Sequence, residues 1–299
     1  AIIDMNAALS SSTYVHDEIE TNQCFDWGWI EDNREATDTA IKNAHHVTTL
    51  ELVNNRLVPN AMEPRASIGS YKASTGEYTL HTTSQNPHLT RLLISAFVLG
   101  IPENMLTVIA PDVGGGFGSK IYHYGEEALV LAAAKQVGRP VKWTADRTES
   151  FLTDAHGRDH VTKIELALDA EGNFLAFRTD TKANVGAYLS NFSTATPTFL
   201  HGTLMGGNYT VPLVYVNVKA VFTNTAPVDA YRGAGRPEAT YSIERVIDKA
   251  ARELGMDPIE LRRKNFVKPD QYPYASAAGL EYDAGNYDAL MDQMEEVAD

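Results

Sequence analysis

A run of glycines follows the apolar stretch 105–110: Pro111-Asp112-Val113 leads into Gly114-Gly115-Gly116-Phe117-Gly118-Ser119-Lys120. Glycine takes positive φ at no steric cost, so this backbone can approach a ligand closely and aim successive amides at an oxygen. It is not a Walker loop, because Gly118-Ser119-Lys120 lacks the Gly-Lys-Ser/Thr order, and Ser119 stands where a dinucleotide fingerprint needs its third glycine. A ligand-free tight turn and a cofactor contact both remain open for it. A second flexible loop, Ala230-Tyr231-Arg232-Gly233-Ala234-Gly235-Arg236-Pro237-Glu238, sets two arginines ahead of a helix. Guanidinium donors beside a helix N-terminus make an anion site. The alternative is that the arginines pair with some of the chain's 39 carboxylates. The third segment is Thr82-Thr83-Ser84-Gln85-Asn86-Pro87, where Asn86 and Pro87 suit a helix cap and first turn. Gln85 has no capping duty, which makes it a functional candidate.

Other constellations argue against hydrolytic or metal chemistry. His156-Gly157-Arg158-Asp159-His160 spaces two histidines four apart, but Gly157 and the strand-like residues after His160 oppose a helix that would align them. It is expected to be a turn held by Arg–Asp and His hydrogen bonds, with no metal carried by protein ligands. His45-His46 gives a weaker signal still. No Gly-x-Ser-x-Gly elbow occurs, and Cys24 falls in what reads as an irregular acidic stretch.

The elements that must position these loops alternate between two periods. Residues 47–53, 77–82, 105–110, 141–145, 161–168, 174–185 and 213–222 read as strands, with 105–110 buried and Asp169-Ala170-Glu171-Gly172 as a turn. Leu89, Leu92, Leu93, Ala96 and Phe97 mark a helix stopped at Gly100. Residues 126–137 are apolar nearly all round and predict a buried helix ending at Gly138. From Pro237, the stripe Ile243, Val246, Ile247, Ala250 and Leu254 predicts a helix closed by Gly255, and Asp257-Pro258 opens a short basic one. Strands and helices without strict βαβ alternation predict an α+β fold: mixed β-sheets with packed helices. Residues 1–44 read as an extended lead-in, pinned by the Phe25–Trp29 aromatics; 45–268 as the main domain; and 269–299 as the start of a following segment.

The chain has 299 residues, 43% hydrophobic and 21% charged, which excludes wholesale disorder. The longest purely apolar run, Ala128–Ala134, is far short of the roughly 20 residues a membrane helix needs. A net charge of −14 without a basic run excludes nucleic acid as a partner. One cysteine allows no intrachain disulfide and no thiolate cluster, so any iron–sulfur relay is expected on another chain, in a cytoplasmic, reducing setting. Because it starts at Ala1 without Met and ends inside a helical pattern, the chain is expected to be an internal fragment.

TSQNP, IAPDVGGGFGSK and VDAYRGAGRPEA, in this order, resemble the molybdenum hydroxylases: xanthine dehydrogenase, aldehyde oxidase and aerobic carbon monoxide dehydrogenase. The resemblance runs from about His46 to Val267, including ELGMDPIELRRKNFV, and looks most like the large subunit of the carbon-monoxide-dehydrogenase-like branch. It implies that Gln85 hydrogen-bonds an oxygen ligand of molybdenum. Phe117 and Gly118 would lie against the molybdopterin, with Gly114, Gly115 and Gly116 allowing the approach. Arg232, with Gly233 and Ala234, would stand beside cofactor and substrate. The cofactor's dithiolene carries the metal, so protein ligands are not needed.

Departures from the pattern bear on substrate. Where xanthine-oxidising relatives place a purine-binding Glu, this chain has Ile121; where they place a stacking Phe, it has Ala234. Carbon monoxide dehydrogenase carries a copper-binding Cys after the loop arginine, and here that residue is Gly233. The resemblance therefore implies an apolar pocket at Ile121 and Ala234 for a small molecule, an aldehyde or an N-heteroaromatic carbon, hydroxylated with oxygen from water. CO oxidation and a non-catalytic anion-binding or scaffold role are the alternatives. It further implies molybdopterin, in plain or cytosine dinucleotide form, with FAD and 2Fe-2S on a medium and a small partner subunit in a dimer of heterotrimers. The family's general-base glutamate lies in a Gly-Glu motif beyond the matched stretch, so the fragment alone is expected to be inactive and cofactor-free.

Overall fold

The computed structural model describes residues 1–298. In chain order its first elements are α1 (Met5–Ser10), β1 (Gln23–Trp29), α2 (Arg34–Asn43), β2 (His46–Asn54), β3 (Ala66–Lys72), β4 (Glu77–Thr82), α3 (Pro87–Leu93) and β5 (Leu106–Ile109). Then come α4 (Gly125–Val137), β6 (Val141–Thr144), α5 (Arg147–Thr153), β7 (His160–Leu168), β8 (Phe174–Gly186), α6 (Phe199–Gly202) and β9 (Leu213–Phe222). The last are α7 (Arg236–Leu254), α8 (Pro258–Asn265), the short pair β10 (Tyr274–Ala275) and β11 (Glu281–Tyr282), and α9 (Tyr287–Ala298).

Strands β8 and β9 lie side by side, parallel, inside a five-stranded sheet of order β1-β9-β8-β7-β2; one face is apolar through Phe177, Val214, Val216 and Val218, while the other carries Arg178, Asp180, Lys182, Asn217 and Lys219. The apolar stripe of α7 packs Ile243, Val246, Ile247 and Ala250 onto Ile164, Leu166, Phe177, Val214 and Val216 of that sheet. Each such buried aliphatic side chain contributes about 2 kcal/mol of burial free energy. A second sheet, β5-β4-β3-β6, packs against α4 around Tyr78, Leu80, Ile94, Leu106, Val130 and Leu131. Helix and strand approach so closely that a Cβ on Gly69 would overlap the backbone at Val130. The fold is α+β, with mixed sheets and packed helices.

Four expectations change. The first 44 residues are not an extended lead-in: they hold α1, β1 and α2, and β1 is hydrogen-bonded antiparallel to β9 along the sheet edge. Short polar runs hid these elements from a periodicity reading. The tryptophans do anchor the segment, with Trp27 and Trp29 stacked at 5.4 Å, both against the main core, and Trp29 Nε1 donating to Ala278 O at 2.9 Å. Cys24 consequently sits half-buried in a strand. Strand β5 is an edge, not a buried interior strand, since among the described residues only β4 pairs with it. Helix α4 is one-sided, with Leu129 67% exposed while Leu131 is fully buried. Strand β3 and helix α5 were not legible: Gly69 interrupts one, and the Asp146/Glu149 capping box starts the other within a polar stretch.

Candidate functional site

Gln85 sits where β4 hands over to α3, and the cap behind it is Asn86, whose side chain accepts from Leu89 N at 3.4 Å. Its own amide donates to Lys120 O at 2.8 Å. Its Oε1 accepts from Gly118 N at 2.9 Å and Lys120 N at 3.3 Å, so the glycine loop between β5 and α4 is folded over this side chain. A Cβ on Gly116 would collide with Gln85 Oε1, which is why that position has none. Phe117 is in the left-handed region at φ 53 with its side chain 46% exposed. Its carbonyl accepts from Arg232 N at 2.9 Å, in the loop between β9 and α7. Gly118, at φ 107, lies so close that a Cβ there would collide with Ala230 O. Three loops from two sheets thus meet through main-chain and amide contacts. Gln85, Phe117 and Arg232 all face solvent.

What the contacts leave over matters as much. Among the described residues, Gln85 Nε2 and the amides of Gly116 and Phe117 find no acceptor, and the Arg232 guanidinium no carboxylate. Among the described residues neither of the two arginines in the loop forms an ion pair, and Arg236 donates to Gly233 O at 3.3 Å. Ile121 and Ala234, each partly buried, pack against the same small cluster of Tyr122, Ala155 and Ala230. Gly114 turns away, donating to Glu63 Oε2 at 2.8 Å.

The supports of these loops were not foreseen. Lys120 is 3% exposed and its Nζ donates to Glu63 O at 2.8 Å and Glu63 Oε2 at 2.9 Å. Partial burial works against charge on Glu63, but the bonds from Lys120 and Gly114 outweigh it and hold the carboxyl below its usual range. Tyr124 Oη donates to Ser119 O and Tyr122 Oη to Ala230 O, each at 2.6 Å. Burial, chiefly, pushes both phenols up, so both stay protonated and donate, and Tyr124 Oη also accepts from Ala155 N at 3.1 Å. Arg158 donates to Tyr231 O at 2.6 Å and Arg232 O at 2.9 Å. The expected Arg–Asp turn is therefore corrected: Asp159 pairs with Arg56 at 2.8 Å, and Arg158 with Glu238 at 3.3 Å. His156 meets Arg56 and Phe151 O, whereas His160 packs on His201, so the two histidines do not converge. No group of three or more His, Cys, Asp or Glu among the described residues is arranged to hold a metal ion. A lysine after a glycine run and an arginine inside a turn were visible in the sequence, but their partners were not.

Residues 15–266 match the molybdopterin cofactor-binding domain family. The chain belongs to that family. This cofactor-binding domain is 36% identical over 283 residues to the carbon monoxide dehydrogenase large chain of Hydrogenophaga pseudoflava, covering 93% of this chain and 34% of that one. It is 32% identical over 272 residues to the nicotine 6-hydroxylase large subunit of Paenarthrobacter nicotinovorans, covering 88% and 32%. In structure it is similar to quinoline 2-oxidoreductase from Pseudomonas putida 86, with a TM-score of 0.93 and 31% identity over 100% of this chain and 38% of that one. The chain thus spans about a third of the length of the curated relatives it matches. No helix of the cofactor-binding domain is long and apolar enough to cross a membrane among the described residues.

Proposed function

We propose that this chain forms the molybdopterin-binding part of a molybdenum hydroxylase large subunit that oxidises an aldehyde or an N-heteroaromatic carbon, taking oxygen from water. The observation that carries this reading is the joint presentation of unspent donors: Gln85 Oε1 and Phe117 O are consumed in joining the three loops, while Gln85 Nε2 and the Arg232 guanidinium are left over. A group that brings its own dithiolene to the metal needs donors rather than ligating side chains, and the Gly116 and Phe117 amides and Gln85 Nε2, left without acceptors among the described residues, fit that need. When bound, the cofactor supplies the two-electron redox chemistry. Gln85 and the Gly116 and Phe117 amides would donate to it, and Arg232 would orient oxygen atoms of cofactor or substrate with its rigid fork. Ile121 and Ala234 would offer the substrate an apolar wall without a carboxylate for a purine.

The general base is proposed to come from a glutamate outside these residues, because the nearby carboxylates are committed, Glu63 to Lys120 and Glu238 to Arg158. Electrons would leave through FAD and 2Fe-2S groups on a medium and a small subunit, in a cytoplasmic dimer of heterotrimers. The pterin is proposed in plain or cytosine dinucleotide form. Oxidation of CO is the second reading, favoured by the 36% identity to a carbon monoxide dehydrogenase large chain and opposed by Gly233 at the copper-ligand position. Metal and pterin analysis of the full-length gene product, co-expressed with its neighbouring genes, tests the proposal. Stoichiometric molybdenum with molybdopterin supports it and directs a screen of aldehydes and N-heterocycles; a folded complex with neither leaves an anion-binding or scaffold role.

A further inference from the structure

The loop that presents Arg232 is strained. Gly233, Ala234 and Gly235 follow one another at φ 108, 47 and 88, and Ala234 holds the left-handed region against its own Cβ. A segment of this kind keeps one shape only if something outside it fixes the ends. At its entrance both carbonyls, of Tyr231 and of Arg232, are taken by one guanidinium, through Arg158 Nη1 at 2.6 Å and Nη2 at 2.9 Å. Arg158 is 6% exposed and lies over the Tyr231 ring at 5.1 Å. At the exit stands Glu238 in the first turn of α7, 2% exposed, its Oε1 accepting from the same Nη1 at 3.3 Å and its Oε2 without a partner among the described residues. One buried pair therefore grips both ends of the loop.

We propose that Arg158, held by Glu238, is the positioning residue of the Arg232 loop, setting two successive carbonyls and thereby where the Arg232 side chain leaves the backbone. A planar fork sets two rigid, parallel donors on adjacent carbonyls, whereas a lysine ammonium is a point charge on a flexible stem and does not fix the two in that geometry. The surroundings supply no substitute: His160 and His201, 3% and 0% exposed, lie edge to face at 5.7 Å, and burial keeps both imidazoles neutral. Arg158 thus supplies the counter-charge for Glu238. The functional weight of this device rests on the reading that Arg232 meets the cofactor, but the mechanical claim does not.

The test uses the full-length complex carrying Arg158→Lys, or Arg158→Met with Glu238→Leu, the double change removing the unpaired buried carboxylate that would otherwise unfold the protein. Amide hydrogen exchange reads the loop at Arg232 N, Ala234 N and Arg236 N, which donate to Phe117, Tyr231 and Gly233 carbonyls. We expect these amides to exchange at least about ten-fold faster in both variants, with residues 243–250 of α7 unchanged. We also expect kcat to fall by at least about ten-fold with KM changed less, as for an interaction lost mainly in the transition state. Wild-type exchange at the three amides in the folded double variant, or full restoration by lysine, would overturn the proposal. Absence of molybdenum from the wild-type complex would instead sink the proposed function and leave the exchange result standing.

Discussion

At the scale of single residues the site is built from absences of side-chain volume. Gly118 combines φ 107 with the Ala230 carbonyl where its Cβ would go, whereas Gly138 has φ 67 and nothing within 4 Å. Gly138→Ala is therefore expected to cost about 1 kcal/mol, from conformation alone. Gly118→Ala adds a collision with backbone and is expected to cost about 3 kcal/mol and to shift Arg232. Urea denaturation of the two variants checks the ranking, and equal losses would refute the geometry. Lys120→Met leaves Glu63 without its cation. Because the Glu63 side chain is 37% exposed, the loss is expected at only about 1–3 kcal/mol. The folded Glu63 carboxyl titrates below its ordinary 4.5, so this contribution is complete above that pH and vanishes as pH falls through the lower folded value. Comparing wild type with Lys120→Met, the stability gap should narrow below about pH 4.5.

At the scale of elements, the edges of the large sheet decide what can be removed. Strand β1 pairs with β9 from Gln23 to Trp29, and β9 runs on toward the Arg232 loop. Deleting residues 1–30 would bare the β9 edge and strip two stacked tryptophans from the core, so the truncated protein is expected to aggregate. Size-exclusion chromatography reads this directly; a monodisperse truncation would restore the lead-in interpretation. The helices show the same one-sidedness. Periodicity announced α7 with its stripe and both of its termini within one residue. It failed for α4, where Leu129 and Val137 are exposed on an otherwise apolar helix. Sequence composition counts apolar residues on every face, while burial depends on which face meets β3.

At the scale of the whole molecule, one group of buried polar side chains lies behind the site and responds to acid. His160 and His201 titrate at about 4 in the fold against 6.5 ordinarily, because burial, chiefly, disfavours their charge. Between those two values the unfolded chain binds more protons, so stability is complete above about pH 6.5 and falls as pH drops toward 4. The loss is expected to be on the order of 3 kcal/mol per ring. Among the described residues neither His201 nitrogen makes a well-formed hydrogen bond, so replacing both rings by phenylalanine should flatten this acid dependence with little change near neutrality. Chemical denaturation across that pH window measures it, and an unchanged slope in the double variant would exclude these rings as its source.

Local chemistry, set by each residue and its immediate neighbours, was determined by the sequence alone. The glycines that permit positive φ, the Asn86 cap, the Gly255 stop, the alternating strands and the ordered trio of loops containing Gln85, Phe117 and Arg232 all belong here. Pairing was not. Whether Arg158 would meet Asp159 beside it or Glu238 eighty positions on, whether Lys120 would find Glu63, and whether β1 would join the sheet were decided by topology. Side-chain preferences act over a turn or two of chain, whereas a buried charge takes whichever counter-charge the packed elements bring within reach, and only the folded chain fixes that distance.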